Sequence, residues 1–461
     1  MNKKELEKAK KDLLYKRESL SSKSQSEEIT AYAESYKEFL DNSKTEREAV
    51  RCAVKLLESK GYKAFSFGDE LKKGGKYYLN NRFKSVCAFR IGENVEDGVK
   101  LVGAHIDSPR LDIKQNPLYQ KDDMAYLKTH YYGGIRKYQW TTIPLALHGV
   151  VIKADGTSVD IKIGDDKDDP IFCITDLLPH LAQDQSQKPL ATAFTGEGLN
   201  ILMGADSLSE EADNGIKLNV MKLLNEKYGI TETDFLSAEL CAVPAQNSRD
   251  LGLDRSMISG YGHDDRVCAY PALTAFLETE DAKNTCMCLL ADKEETGSDG
   301  VTGSQCSVLY DLIDEISAYF NANRNKVRMN STCLSADVTA AFDPLYPDVF
   351  EKNNATFING GVALCKFTGS RGKGGTSDAS CELVGKVRKL FDENSVTWQL
   401  GELGKVDQGG GGTIAKYVAN HNIDTIDIGV PVLSMHSPLE VISKKDLYET
   451  YKAFRCFYLS K

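Results

Sequence analysis

The sequence predicts an α/β protein: a mostly parallel sheet covered by helices, interrupted by an inserted β-rich domain. Three observations predict it. Short apolar, strand-like runs alternate with helical patterns in the first and last thirds of the chain, which is the rhythm of a sheet buried on both faces. A central stretch from about 115 to 248 breaks that rhythm with alternating runs and turn signals. The length, 461 residues, exceeds one ordinary compact domain.

In chain order, residues 1 to about 60 read as helical, with Leu6, Leu13, Leu14, Ala49, Val50 and Leu56 spaced among many charges. The first of these helices reads as a solvated amphipathic one. Strand-like runs begin near 85–90, and VKLVGAH reads as a buried strand ending at His105. In the central stretch, THYYGGI, QWTTIPLALHGVVIKA and TSVDIKI read as hairpins, with turn signals at Asp155-Gly156 and Gly164-Asp165-Asp166. LAQDQSQKPLATAFTGEG reads as a loop. The α/β rhythm then returns: RVCAYPALTAFLET as helix, TCMCLLAD as strand, VLYDLIDEISAYFNAN as helix, NSTCLSADVTAAF as strand, CELVGKVRKLFDE as helix, TIDIGVPVLSMHSP as strand, and DLYETYKAFRCFYL as a closing helix. The expected division is 1–114 and 251–461 as two parts of one α/β domain, with 115–250 inserted.

Composition is that of an ordinary globular chain, 41% hydrophobic and 27% charged. A formal charge of −10 argues against a nucleic-acid or anionic-membrane partner. None of the 12 cysteines forms a C-x-x-C pair, and Cys286, Cys288 and Cys333 lie inside apolar runs. Reduced thiols and a cytoplasmic location are expected. The first residues lack the apolar core of a secretory signal, and no run approaches ~18 apolar residues.

The chemistry is carried by where the polar residues fall. His105 and Asp107 follow KLVGA, Glu294 and Glu295 follow CMCLLADK, Asp337 follows CLSA, and His436 follows TIDIGVPVLSM. Each stands at or just beyond the carboxyl end of an apolar strand, the edge where open α/β sheets build their sites. Asp264, in YGHDDRVCAY, opens a helix, where its charge is favoured. Singly these residues are ordinary: a structural histidine, a solvated Glu-Glu pair, a helix cap. Together they give two imidazoles and several carboxylates, a donor set that suits zinc and also cobalt or manganese. A two-metal hydrolase needs ligands on both ions and one carboxylate left free to take a proton from the bridging water. The Glu294-Glu295 pair can supply both a ligand and that base. Asp107, two residues after His105, is placed to hydrogen-bond the far nitrogen of a metal-bound imidazole.

At these residues the sequence resembles the aspartyl aminopeptidase / vacuolar aminopeptidase I family of zinc metallopeptidases, as a bacterial-type member. The matching motifs are GAHIDSP (103–109), HDD (263–265), EETGS (294–298), SADV (335–338) and SMHS (434–437). The resemblance implies a metalloaminopeptidase that removes N-terminal residues from peptides through a water bridging two zinc ions. It implies His105, Asp264, Glu295, Asp337 and His436 as metal ligands, with Asp264 bridging, Glu294 as general base and acid, and Asp107 as the orienting carboxylate. Asp265 stands where the family usually has Asn and is read as supporting. The resemblance also implies that the inserted domain dimerises and that the dimers build a tetrahedral dodecamer. One departure stands out. Eukaryotic aspartyl-specific members carry a second histidine four residues after that of Pro-His-Leu, reaching into the neighbouring subunit's site. Here Asp184 follows Pro179-His180-Leu181 at that position, so that role does not transfer; His180 or His130 are candidate accessory groups.

For substrate binding, KVDQGGGGTIAKY places Gly410 and Gly411 in a loop able to bring backbone N–H groups near a substrate oxygen. No G-K-[ST] follows, so it is not a phosphate loop. Lys366 resembles the family's pocket lysine, with Arg371 and Lys373 as physical alternatives. Two other classes remain open at this point: a related two-metal carboxypeptidase or deacylase, and a non-catalytic assembly protein. The unliganded Glu294 speaks against the last.

Overall fold

Every residue of the run Val99–His105 except Lys100 is buried, and Thr285–Ala291 is buried throughout. Strands apolar on both faces belong at the centre of a covered sheet. The computed structural model, which describes residues 1–460, places them there. A nine-stranded sheet runs in the order Lys63–Ala64, Lys76–Asn81, Ser85–Arg90, Thr285–Ala291, Val99–His105, Thr332–Ala336, Asp424–Gly429, Val362–Cys365, Trp398–Leu400. The four strands from Thr285–Ala291 to Asp424–Gly429 are mutually parallel. The antiparallel pairings lie outside this block.

Alternate residues along each strand feed two separate cores, as the pleat requires. Val102, Ala104, Cys288 and Leu290 face the helices Glu46–Ser59, His263–Phe276 and Lys444–Leu459, with Leu57, Phe276 and Phe454 filling the layer. Leu101, Met287 and Leu289 face the other side, against Leu312, Ile313 and Ile316 of Val308–Tyr319. The first helix, Lys3–Leu13, is fixed by an Asn2/Glu5 capping box and buries no residue, as its charge pattern predicts. All 12 cysteines are free thiols. Among the described residues no helix is long and apolar enough to cross a membrane.

The central stretch builds a second, six-stranded sheet in the order Ser158–Ile163, Leu145–Ile152, Ala238–Pro244, Arg110–Lys121, Met124–Tyr132, Ile201–Gly204. It is antiparallel throughout and has its own core around Leu111, Trp140, Leu147 and Ile201. The Asp155-Gly156 turn joins two of these strands, pairing Ile152 with Ser158. Three details differ from the sequence reading. The strand Arg110–Lys121 runs across the 114/115 division. Residues Gly215–Tyr228 form a helix inside a stretch read as β-rich; Ile216, Val220 and Leu224, its buried apolar side chains, recur every four positions, and Gly229 ends it in the left-handed conformation at φ 66°. The polar tract contains two single-turn helices, Gln183–Ser186 and Leu190–Ala193.

A buried ion cluster locks the two sheets together. Arg110 Nη1, on the second sheet, donates to Glu46 Oε2 at 2.6 Å, on the first helical layer. Lys84 Nζ stands 3.4 Å from Glu46 and 3.8 Å from Asp292. Burial alone would raise the Glu46 carboxyl, but Arg110 and Lys84 hold it below its ordinary value of 4.5. Glu46→Ala leaves the buried Arg110 guanidinium with Asp112 as its one remaining carboxylate partner, so it is expected to destabilise the fold by about 2–4 kcal/mol in denaturant unfolding at pH 7. A loss under about 1 kcal/mol would show that water compensates Arg110. Because the folded value is depressed, the stabilisation by Glu46 is present above about pH 4.5 and is lost as the pH falls through the folded value.

Candidate metal centre and active-site cavity

Parallel pairing brings the candidate residues together. In the sheet, Ala291 is opposite His105, so the turn that carries Glu294 and Glu295 opens beside that imidazole. Asp337 leaves the next strand, Thr332–Ala336, and His436 follows Asp424–Gly429 one strand further on. Asp264 comes from a different element. It lies in the first turn of His263–Phe276, with non-helical φ/ψ of −78° and 106°, and the Asp264–Asp265 peptide is cis.

The Asp264 carboxylate sits between the two imidazoles, with Oδ1 3.2 Å from His105 Nε2 and Oδ2 3.2 Å from His436 Nε2. Asp337 Oδ1 and Glu294 Oε2 stand 3.8 and 3.9 Å from His105 Nε2. Glu295 Oε2 stands 3.5 Å from His436 Nε2. Both rings turn their Nδ1 to a main-chain carbonyl, that of Asp107 for His105 at 3.0 Å and that of Gly134 for His436 at 2.8 Å. Each Nδ1 therefore carries a proton, which leaves Nε2, turned to Asp264, as the atom that would coordinate a metal.

Asp107 approaches His105 with both its main-chain oxygen and its carboxylate. The nearest partner of Nδ1 is the Asp107 main-chain oxygen, and the carboxylate is 3.4 Å away. The carboxylate also accepts the N–H groups of Glu294 and Glu295 at 3.1 and 3.2 Å and the Tyr132 hydroxyl at 2.7 Å. Glu440, unnoticed in the sequence, does the same elsewhere. It is 1% exposed, and its two oxygens accept from His436 N–H at 2.8 Å and Asp264 N–H at 3.0 Å. Its only sequence signal is a carboxylate opening the apolar run EVIS, four residues after His436.

The donors fit divalent zinc. Ligand atoms of His105, Asp264 and Glu295 lie within 4.8 Å of one another, as do those of His105, Asp265 and Asp337. Two buried oxygens, Glu295 Oε1 and Asp265 Oδ1, have no hydrogen-bond partner. Burial and neighbouring carboxylates raise Glu294, Glu295, Asp337 and Asp265 above their ordinary values. For Asp264, burial is outweighed by its bonds to His105 and His436, which lower it. Crowded carboxylates with unfilled lone pairs are a site short of positive charge.

Asp264, Glu294, Glu295, Asp337 and His436 line a cavity of about 490 Å³, whose walls include Val338, Phe367, Leu403, Tyr417 and Met435. Among the described residues that line it, none is Lys or Arg. Lys366 is therefore not in the position expected of it. Its Nζ donates to Asp378 at 2.6 Å, while its chain neighbours Cys365 and Phe367 line the cavity. Lys373 pairs with the same Asp378 at 3.0 Å, and Arg371 is exposed. Gly410 and Gly411 do line the cavity. They also pair with Gly369–Ser370, and a Cβ on Gly410, where φ is 115°, would overlap the Gly369 carbonyl. His130 lines an adjoining groove beside Glu295. His180 and Asp184 are exposed and line neither space.

Residues 39–458 match the sequence model of the aminopeptidase I zinc metalloprotease family, M18. The chain belongs to this family. It is 49% identical over 443 residues to a Clostridium acetobutylicum protein named "Probable M18 family aminopeptidase 1", covering 94% of this chain and 95% of that one. It is 47% identical over 436 residues to the protein of that name from Thermotoga maritima, covering 93% and 96%. The crystal structure of the M18 family aminopeptidase from Thermotoga maritima superposes with a TM-score of 0.92 at 44% identity, covering 96% of this chain and 99% of that one. That of aminopeptidase I from Clostridium acetobutylicum gives 0.91 at 45%, covering 97% and 100%. The yeast aminopeptidase 1 dodecamer shares the fold, with a TM-score of 0.77 at 21% identity over 94% of this chain and 97% of that one. The chain is thus a zinc-dependent metalloexopeptidase of the aminopeptidase I family.

In this aminopeptidase, Glu440→Gln sets an amide NH₂ against one of two N–H donors, a repulsion the carboxylate avoids. Zinc retention against a chelator and turnover are both expected to fall by about tenfold or more. Unchanged values in both would show that Glu440 does not hold the segment.

Proposed function

We propose that this aminopeptidase removes N-terminal residues from peptides using two zinc ions per chain, held by His105, Asp264, Glu295, Asp337 and His436, with Asp264 between them. The observation that carries it is the Asp264 carboxylate divided between two imidazoles, Oδ1 toward one and Oδ2 toward the other. Zinc ions there would polarise the scissile carbonyl and acidify water, and cobalt or manganese would suit the same donors. Glu294 is left free of a ligand role. It takes the proton from the attacking water and delivers it to the leaving amine nitrogen. Asp107 holds the backbone of the turn that carries Glu294, and Asp265 accepts the His105 N–H at 3.3 Å.

The cavity favours an aminopeptidase over a carboxypeptidase. Among the described lining residues no Lys or Arg stands ready to pair with a substrate's C-terminal carboxylate. A substrate ammonium suits a space edged by carboxylates. The same lining supports a preference for neutral over acidic first residues, because an acidic side chain would meet carboxylates with no Lys or Arg beside it.

The inserted sheet supplies the self-association surface. Ile171, Leu177, Leu178, Leu181 and Leu223 are each more than half exposed there, and a groove of about 760 Å³ with Phe172, Met203 and Val220 opens beside Ile171 and Leu223. Exposed apolar side chains beside an apolar groove support an interface there. Dimers formed through it would assemble into a tetrahedral dodecamer; a monomer in sedimentation at micromolar concentration would refute this. Free thiols throughout support a cytoplasmic location, checked by fractionation.

Two measurements test the chemistry. Zinc-loaded protein should hold two ions per chain. Glu294→Gln should keep them while turnover falls about 10²-fold or more, and Glu295→Gln should lose metal; the reverse pattern would interchange their roles. On a panel of aminoacyl amides, leucyl and methionyl substrates should exceed aspartyl and glutamyl ones by about tenfold or more in kcat/KM, ~1.4 kcal/mol of barrier, and N-acetylated controls should not react. A preference for aspartyl substrates would contradict the cavity argument, and cleavage of the acetylated controls would contradict the aminopeptidase reading.

A further inference from the structure

We propose that Tyr132 is a positioning residue for the metal centre: acting through Asp107 it holds the Glu294–Glu295 turn, so that the inserted sheet is a working part of the site as well as an assembly surface. The proposal rests on the roles assigned above to Glu294 and Glu295.

Tyr132 is the last residue of the strand Met124–Tyr132. Its hydroxyl donates to Asp107 Oδ2 at 2.7 Å. Asp107 is fully buried on the short link between the strand that ends at His105 and the one that begins at Arg110. Its carboxylate is a pure acceptor. Oδ1 takes the Glu294 N–H, and Oδ2 takes both the Glu295 N–H and the Tyr132 hydroxyl. Three donors from two elements fix the carboxylate plane. Without the hydroxyl, Oδ2 keeps one donor, and the carboxylate can rotate and carry both backbone N–H groups with it. Those two residues are the proposed base and a proposed ligand, for which misplacement by a fraction of an ångström matters.

Tyr132 is itself held in place. It stands directly opposite Arg110 in the antiparallel ladder, and the Arg110 guanidinium lies 4.3 Å from its ring centroid while pairing with Glu46 and Asp112. The same hairpin end reaches the other half of the centre. The Gly134 carbonyl accepts from His436 Nδ1, and a Cβ on Gly133 would come within 3.2 Å of the Glu295 side chain. Three consecutive residues, Tyr132 at the end of its strand and Gly133 and Gly134 just beyond it, thus reach both sides of a site whose proposed ligands all come from the first domain.

The test pairs Tyr132→Phe with Thr129→Val in the full chain. The first keeps the ring on Arg110 and removes the hydroxyl. The second removes a buried hydrogen bond to the Leu199 carbonyl from the same strand with no contact to Asp107. Tyr132→Phe should lower kcat by about tenfold or more with KM within about twofold, and should weaken zinc affinity in chelator competition by a similar factor, with sedimentation unchanged. Thr129→Val should lower the thermal midpoint comparably yet keep kcat and zinc affinity within about twofold. Wild-type values for Tyr132→Phe in both readouts would overturn the proposal. So would equal losses in the two variants, which would reveal only a general weakening of the sheet. If the unaltered enzyme cleaves no amide with a free N-terminus, the functional reading fails instead, and the zinc-affinity comparison still decides the role of Tyr132.

Discussion

One carboxylate shared by two imidazoles governs the arrangement around it. Asp264 reaches both His105 and His436 at 3.2 Å, and this fixes how closely the ends of separate strands must approach the first turn of a buried helix. Around that contact stand Asp265, Glu294, Glu295 and Asp337, all four raised by burial and mutual repulsion. Bringing so many like charges out of water is costly unless cations join them. The site and its metal are in that sense one object, and metal binding feeds directly into the stability of the fold.

The backbone around the centre is held by carboxylates that need not touch metal. Glu440 bonds the N–H groups of Asp264 and His436, and Asp107 bonds those of Glu294 and Glu295. Each ties together two segments distant in sequence, and each presents only acceptors to only donors. A neutral amide in either place would meet one N–H with another. These interactions explain how loops at the end of a sheet can hold a site with the rigidity usually found on regular elements.

The second sheet is coupled to this centre by charge as well as by Tyr132. Arg110 joins the helix Glu46–Ser59 to the inserted strands through Glu46, and Lys84 extends the cluster to Asp292, two residues before Glu294. An assembly that shifted the inserted sheet would therefore act on a network ending at the proposed base. The cavity beyond carries no Lys or Arg among its lining residues and has Asp427 on its wall, a lining that supports selection by shape and by the exclusion of like charge.

The sequence by itself determined the α/β class, the inserted β-rich stretch and the identity of the clustered residues. Apolar runs of period two and helical runs of period 3.6 are local signals, and polar residues at strand ends announce a site edge. His105, Asp264, Glu294, Glu295, Asp337 and His436 were legible for that reason. Only the tertiary structure decided which groups hold them. Asp107 turned out to clamp the backbone of the Glu-Glu turn because the chain folds that turn over it, and Lys366 turned away to Asp378 although the residues on either side of it face the cavity. Glu440 and Tyr132 left almost no trace in the sequence. Their partners lie 176 and 25 positions away, and a hydrogen bond between distant segments has no local pattern: it exists only once the strands have found their register and water has been excluded from between them.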